Sequence, residues 1–455
     1  SSKSSRPPTP PRASRPSSAS ARPSSGGSST AAGDPLLCGV TYWPASTGPY
    51  LWQAFPAVRV AADLAAARAE GFPAVRVHLP WDAFMPSHRG VSRRRIGELG
   101  DLLETARGLS LGVVPVLFIQ TFGDCVMLPR YMVDRRSPRT GVRVICEGSV
   151  EPGGPRDPYA DPLMQEAGVA WLEALLDAFS NHPAVLAWDL GHDPATTVRP
   201  RRITHLPTWV ELMAERVHAR GDRCLLTLGA GDLLIARAVR PALLAPHLDQ
   251  LGLLVLPQHL RLADDPLDPA PTVFLAQLAL RLAAPAGTPP PLVVTTGVAS
   301  GEPREPPPAE EEPAPGPPPP PAVEDTVTVP EDVAARHAAD LLSRLGEVGV
   351  AGLVATSWCD LTGRVVEAPP YDRRPWLARH GLRRAGGEAK QVGEVWAATA
   401  RREPAVAAAD PWPDRLDPED YYGSLPDSAR DLFSEWRRER EGASARALEE
   451  GGGPR

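Results

Sequence analysis

Ionisable residues appear in the middle of the chain where an apolar run ends. Residues 183–186 are apolar, and Asp189, His192 and Asp193 follow within the next seven positions. Such a run predicts a buried strand of a parallel sheet, here over residues 184–190. Because α/β proteins hold their sites at the carboxyl ends of parallel strands, His192 and Asp193 are candidate site residues.

The elements that must position these residues alternate along the chain. Eight strand-like runs and eight stretches of helical periodicity predict an α/β fold, a (β/α)8 TIM barrel rather than an open sheet. The predicted strands cover 37–42, 74–79, 112–119, 184–190, 224–228, 251–256, 291–296 and 349–358. The predicted helices cover 57–71, 93–108, 162–181, 206–220, 233–244, 271–282, 331–348 and 388–402. Long loops are expected after strand three (120–161) and strand seven (299–329).

Composition divides the chain into three parts. Residues 1–34 are rich in Ser, Pro and Arg and are expected to be disordered. Residues 35–403 form the predicted barrel, within which 301–325 is a Pro/Glu-rich low-complexity loop. Residues 404–455 are a predicted tail with one helix, near 428–440, that packs on the outside of the barrel.

Several segments resemble, in order, the cellulase and mannanase superfamily of glycoside hydrolases, family 5 and its clan A relatives. They include Gly-Val-Thr-Tyr-Trp-Pro at 39–44, Arg-Val-His-Leu-Pro-Trp at 76–81, Trp-Asp-Leu-Gly-His-Asp-Pro at 188–194 and Thr-Ser-Trp-Cys-Asp at 356–360. The resemblance implies a barrel that binds a β-linked oligo- or polysaccharide. The implied substrate-binding residues are Trp43, Arg76, His78, Trp81, His192, His259 and Trp358.

The two catalytic positions depart from that family's pattern. Retaining glycosidases use two carboxyl groups about 5–5.5 Å apart, one as acid/base and one as nucleophile. The family has Asn-Glu-Pro where this chain has His192-Asp193-Pro194, so the resemblance places the acid/base at Asp193. Thr295 stands at the nucleophile position, and a Thr hydroxyl is a poor nucleophile without an adjacent base. Asp360 is the best substitute, because strand ends position groups better than loops do.

Three functions follow as alternatives. The first is a catalytically degenerate, glycan-binding barrel. The second is an active β-glycosidase that uses Asp193 as acid with a displaced carboxylate, either Asp360 or Glu302. The third is a non-catalytic interaction or structural protein whose cleft is closed by its own long loops.

Charge and cysteine content exclude other classes. A net charge of −7 and a pI near 5.9 are not typical of a protein that binds nucleic acid or an anionic membrane. No signal peptide is visible, so the sequence leaves the choice between a secreted and a cytoplasmic protein open. Five cysteines without a CxxC pair predict no zinc site, although a Cys125–Cys146 disulfide is possible. We expect a monomer without metal or cofactor.

Overall fold

Eight parallel strands close into a barrel in the part of the chain that the computed structural model describes, residues 37–88, 90–301, 328–402, 412 and 416–451. Each strand pairs with its neighbours in sequence, and β1 pairs with β8, which confirms the predicted TIM barrel. The strands are β1 (Leu37–Thr41), β2 (Ala74–His78), β3 (Gly112–Val116), β4 (Trp188–His192), β5 (Cys224–Gly229), β6 (Gln250–Val255), β7 (Leu292–Thr296) and β8 (Gly352–Ala355).

Helices cover the outside of the barrel. The longer ones are α1 (Ala57–Ala69), α2 (Arg93–Gly108), α3 (Pro162–Phe179), α4 (His205–Ala219), α5 (Ala270–Ala283), α6 (Glu331–Val348), α7 (Gln391–Ala400) and α8 (Asp427–Gly451). Short α-helices cover Trp81–Phe84, Pro194–Thr197, Ala230–Leu234, Pro241–Leu244 and Pro418–Gly423. Short 3₁₀ segments cover Gly48–Gln53, Arg130–Met132, Ala245–His247, Pro257–His259, Ala284–Ala286, Gly363–Glu367 and Pro375–Arg379. Among the described residues, the structure contains no helix that combines the length and apolarity needed to span a membrane.

Strand β4 begins four residues later than the sequence predicts. The apolar run before it makes only a single bridge, between Val185 and Val113, and the Leu186 side chain is 38% exposed. The ladder itself starts where Trp188 pairs with Cys224. The shift places His192 as the last residue of β4 and Asp193 immediately beyond it, so both residues lie at the carboxyl end of the barrel.

The helix predicted over residues 233–244 is interrupted. Ala230–Leu234 and Pro241–Leu244 are separate short helices, because Pro241 forces Arg240 into an extended conformation with ψ 95°. The C-terminal segment holds two helices in its described part, Pro418–Gly423 and α8, where the sequence suggested one.

The loop after β3 carries its own strands. A small sheet in this loop consists of four short strands, Thr121–Phe122, Cys125–Met127, Arg143–Cys146 and Ser149–Glu151. A second pairing in the loop joins Val133–Asp134 to Gly154–Pro155. After β8, a further pairing joins Ser357–Cys359 to Gly381–Arg383. Cys125 and Cys146 lie on different strands of that sheet and are buried free thiols, so the possible disulfide is absent. Glu302, most of the Pro/Glu-rich loop and the N-terminal segment 1–34 lie outside the described residues.

Candidate functional site

A cavity of about 540 Å³ opens at the carboxyl ends of the barrel strands. Strands β1, β2, β4 and β7 contribute polar side chains to its floor, namely Thr41, His78, His192 and Thr295. Six residues predicted from the sequence line this cavity: Trp43, His78, His192, Asp193, His259 and Thr295. The other four predicted residues, Arg76, Trp81, Trp358 and Asp360, do not line it.

Arg76 lies below the cavity floor and holds it together. Its guanidinium donates to the Asp189 carboxylate at 2.6 and 3.0 Å, and both side chains are buried. The same carboxylate accepts from the Thr227 hydroxyl at 2.6 Å. Arg76 Nη1 also lies 2.9 Å from Nδ1 of His192. Arg76 therefore positions the end of β4 rather than facing a ligand.

Both floor imidazoles are neutral. Burial, together with the charge of Arg76, lowers the pKa of His78 and His192 well below the usual range. Because Arg76 has no acceptor atom, Nδ1 of His192 must accept its N–H, which leaves the proton of that ring on Nε2. Gln120 Nε2 donates to two carbonyls, so its Oε1 accepts from His78 Nδ1 at 2.9 Å. The two rings thus have fixed tautomers.

Asp193 interacts electrostatically with a buried carboxyl, Asp232, that the sequence did not single out. Asp193 has a left-handed conformation with φ 50°, and its carboxylate accepts from the Thr196 hydroxyl at 2.7 Å. A Cβ on Gly229 would lie 2.2 Å from that carboxyl, so glycine is needed there. Asp232 follows Gly229 by three residues, and its Oδ2 accepts from the Gly229 N–H at 3.0 Å.

Burial and mutual repulsion keep this pair partly protonated. Burial raises the pKa of Asp193 well above its usual range, and the charge of Asp232 raises it further. Burial raises the pKa of Asp232 to about 7. The pair therefore retains a proton near neutral pH. A carboxyl three residues after β5 was visible in the sequence as Gly-Ala-Gly-Asp, but nothing there indicated its contact with Asp193.

The nucleophile position and its suggested substitute occupy different environments. Thr295 lies in β7, paired in register with Leu254 and Val354, and lines the cavity. Asp360 is buried outside the cavity, where it accepts from Lys390 Nζ at 2.8 Å and from the Gly381 N–H at 3.0 Å. Its geometry is that of a structural ion pair.

The aromatic groups of the cavity differ from those predicted. Trp43 stacks on His78 with ring centroids 4.6 Å apart, and Trp376 packs against His259 at 4.1 Å. Trp81 instead packs on Trp171 and is fully buried, and Trp358 packs edge-on against Phe72. Trp376, which the sequence analysis missed, could have been found as an aromatic residue in the polar segment Asp-Arg-Arg-Pro-Trp at 372–376.

Three arginines supply positive charge to the cavity wall: Arg261, Arg374 and Arg430. Arg374 lies 3.9 Å from Asp124, whose two oxygens already bind Arg143. Burial and the charges of Arg374 and Arg261 lower the pKa of His259 to about 4. Arg430 is in α8, so the C-terminal segment borders the cavity as well as packing on α5 through Trp436.

One guanidinium ties together two loops near the mouth. Arg143, in the loop after β3, binds Asp124 of the same loop at 2.9 Å and Asp372 of the loop after β8 at 2.6 Å. All three side chains are at least partly buried.

Solved structures share this architecture. A GH5_18 protein from Streptomyces cattleya, in complex with GlcNAc, is 17% identical with a TM-score of 0.68, and the match covers 90% of this chain and 92% of that one. The fold is GH5-like. A structure of the Streptomyces cattleya GH5_18 protein with Manβ1-4GlcNAc is 18% identical over 82% of this chain and 83% of that one, with a TM-score of 0.61.

A further solved structure, of a longer chain, has a similar fold. The exo-β-1,4-mannosidase Op5Man5 from Opitutaceae bacterium strain TAV5 is 19% identical with a TM-score of 0.60, and the match covers 80% of this chain but only 59% of that one. No protein-family model matches the sequence, and no curated protein matches it significantly. At these identities, the GH5-like likeness describes the barrel and leaves its chemistry to the residues of the cavity.

Proposed function

We propose that this GH5-like barrel binds a β-linked saccharide and has lost the retaining hydrolysis that its fold can support. The observation that carries the proposal is the carboxyl content of the cavity. Asp193 is the single carboxyl among the described lining residues, and Thr295 occupies the β7 position. Retaining hydrolysis needs a second carboxylate on the other side of the scissile bond, so Asp193 alone cannot form a glycosyl-enzyme intermediate.

The cavity keeps features that suit a sugar. Trp43 and Trp376 offer flat apolar surfaces with polar edges, which suit the faces of pyranose rings. His192 Nε2 and the Thr295 hydroxyl are polar groups among apolar neighbours, as is typical of small-molecule sites. Because the mouth leads to a cavity of about 540 Å³, the geometry favours ligand binding over a purely structural role. The relative solved with Manβ1-4GlcNAc makes that disaccharide the first ligand to test.

The charge of the wall favours an acidic saccharide. Arg261, Arg374 and Arg430 line the cavity, and burial raises the pKa of Asp193, the single carboxyl among the described lining residues. A uronic acid unit would present a carboxylate to these guanidinium groups, and guanidinium–carboxylate hydrogen bonds are charge-assisted. We therefore expect an aryl β-glucuronide to bind more tightly than the matching β-glucoside, with a preference that weakens as salt is added.

Hydrolysis by an Asp193–Asp232 pair is the second candidate. The electrostatic contact of the two carboxyls favours it, since paired carboxyls with raised pKa values can divide acid and base roles. Against it, Asp232 is 1% exposed and does not line the cavity. Asp360 is less suitable still, because Lys390 occupies its carboxylate.

The deciding experiment measures binding and turnover on the same protein. Calorimetric titration with Manβ1-4GlcNAc, mannobiose and the two aryl glycosides should give binding to the wild type without release of product. Thr295→Glu should gain turnover, and Thr295→Glu with Asp193→Asn should lose it again. Thr356→Glu, which adds a carboxylate elsewhere in the same cavity, is the control and should stay inactive. Wild-type turnover that Asp193→Asn abolishes would overturn the proposal, and loss through Asp232→Asn as well would establish the second candidate.

A further inference from the structure

A group of metal-ligating side chains lies at the end of the barrel opposite the cavity. His218 comes from the last turn of α4, Cys224 is the first residue of β5, and Asp249 immediately precedes β6. One ligand atom from each, the Nε2, Sγ and a carboxylate oxygen, lie within 4.8 Å of one another. Among the residues that the structure describes, these three are the metal-ligating side chains that lie close enough together to hold one ion.

The three atoms converge on one point. His218 Nε2 lies 2.9 Å from Asp249 Oδ2 and 3.6 Å from Cys224 Sγ. In a tetrahedral zinc site with Zn–N of about 2.0 Å and Zn–S of about 2.3 Å, neighbouring ligand atoms are about 3.3–3.6 Å apart. These two separations differ from the tetrahedral values by a few tenths of an ångström, and the carboxylate oxygen of Asp249 lies within 4.8 Å of Cys224 Sγ. The carbonyl oxygen of His247, 3.7 Å from Sγ, offers a fourth contact.

The surrounding backbone already fixes two of these ligands. The Cys224 N–H donates to Asp249 Oδ2 at 2.8 Å, and the Asp249 N–H donates to the Cys224 carbonyl at 3.0 Å. Hydrogen bonds of this kind orient the side chains that bind the ion in metal sites. His218 and Asp249 are partly exposed, with side chains 42% and 32% accessible, so an ion can enter from solvent.

We propose that His218, Cys224 and Asp249 bind a zinc-class divalent cation. Thiolate, carboxylate and neutral imidazole are each groups that bind zinc, and the two negative charges of this set balance the charge of the ion. Binding replaces the S–H bond of Cys224 with an S–Zn bond, and the thiol proton goes to solvent. The sequence predicted no zinc site because its cysteines lack CxxC spacing, whereas these ligands come from three separate segments.

The site joins three segments at the base of the barrel, so its role is structural. The amino-terminal face of a TM barrel serves stability, and the catalytic loops lie at the other end. A bound ion would connect the end of α4 to the starts of β5 and β6. Because the cluster does not share a residue with the cavity, its test is independent of the saccharide proposal.

The test is a titration of the untagged full-length protein with Co²⁺, followed by Zn²⁺ competition. Tetrahedral cobalt bound to thiolate gives a near-ultraviolet charge-transfer band and intense visible bands. We expect one equivalent of Co²⁺ with these bands, displacement by Zn²⁺, release of a proton per ion, and a higher melting temperature with Zn²⁺.

Matched variants separate this site from unspecific binding. Cys224→Ser should lose the charge-transfer band, and His218→Asn should weaken binding at least tenfold. His218 is on the surface, so its variant will fold even if Cys224→Ser does not. His182→Asn removes a similar imidazole–carboxylate pair without a thiol, 3.1 Å from Glu104, and Cys38→Ser removes another buried thiol; both should bind as the wild type does. No thiolate band, or a band unchanged in Cys224→Ser and His218→Asn, would overturn the proposal.

Discussion

The guanidinium of Arg76 lies 2.6 Å from the carboxylate of Asp189, and neither side chain is more than 4% exposed. One residue comes from β2 and the other from β4, so the pair crosses the barrel interior beneath the cavity. Its hydrogen bond to His192 links this buried pair to the floor of the site.

Arg76→Leu should destabilise the protein strongly. It leaves the Asp189 carboxylate buried without its cation, and breaking one partner of a buried pair costs about 3–5 kcal/mol. Chemical denaturation measures the loss. Arg94→Leu removes an arginine that is 69% exposed and bound to Glu98, and it should change the free energy of unfolding by less than about 1 kcal/mol. Equal losses in the two variants would refute this assignment.

Asp232→Asn should stabilise the protein more at pH 8 than at pH 5. The pKa of Asp232 is raised to about 7 in the folded state, so folded protein binds more protons than unfolded protein between about pH 4 and pH 7. Stability therefore falls as pH rises through that window, and the amide removes the loss. The gain at pH 8 should be at most about 4 kcal/mol, since the pKa is raised from 3.8 to about 7 and one pKa unit corresponds to about 1.4 kcal/mol. A gain independent of pH would contradict the raised pKa.

Trp358 and Trp376, which both follow β8 in the chain, should respond in opposite ways to substitution. Trp376→Ala should weaken saccharide binding at least tenfold with a small change in melting temperature, because the ring is partly exposed at the cavity. Trp358→Ala should cost about 3–5 kcal/mol of stability, because that ring is buried against Phe72. Calorimetry and thermal melts on both variants make the comparison. Unchanged binding in a folded Trp376→Ala protein would exclude that ring from the site.

Stability should also fall on the acidic side, through the histidines beside the cavity. Burial lowers the pKa of His380 to about 3 and that of His259 to about 4. Unfolded protein then binds more protons than folded protein from about pH 6.5 downwards, so stability drops as pH falls toward 4. His380→Gln should reduce the loss of stability between pH 7 and pH 5 by the contribution of that one histidine. Melting curves at pH 5 and pH 7 give the slope, and His88→Gln, which changes an exposed histidine that does not line the cavity, serves as the control.

Apolar runs that alternate with helical periodicity were enough to predict the barrel, because parallel strands covered by helices are buried on both faces. The boundary of β4 could not be read in this way. Apolar content alone does not distinguish residues 183–186, which make a single bridge, from the ladder that starts at Trp188. His78, His192, Asp193 and Thr295, which the family resemblance named, line one cavity.

Contacts between distant segments were beyond the sequence. Asp193 and Asp232 belong to different strand ends, and their proximity depends on Gly229, which leaves room for a carboxyl. For the tryptophans, a position near a strand end does not reveal which face of the backbone a side chain uses. Trp81 packs on Trp171 and Trp358 on Phe72, whereas Trp376 lines the cavity from a polar loop.

The bridge that Arg143 makes to Asp124 and Asp372 limits how this scaffold can be recombined. The two bridged aspartates are separated by 248 positions in the chain (372 minus 124), yet a single guanidinium satisfies both. Replacing either loop alone would leave a charged side chain of the other loop without one of its ion-pair partners. In loop-grafting or chimera experiments, the segments after β3 and β8 therefore form one module that must be exchanged together.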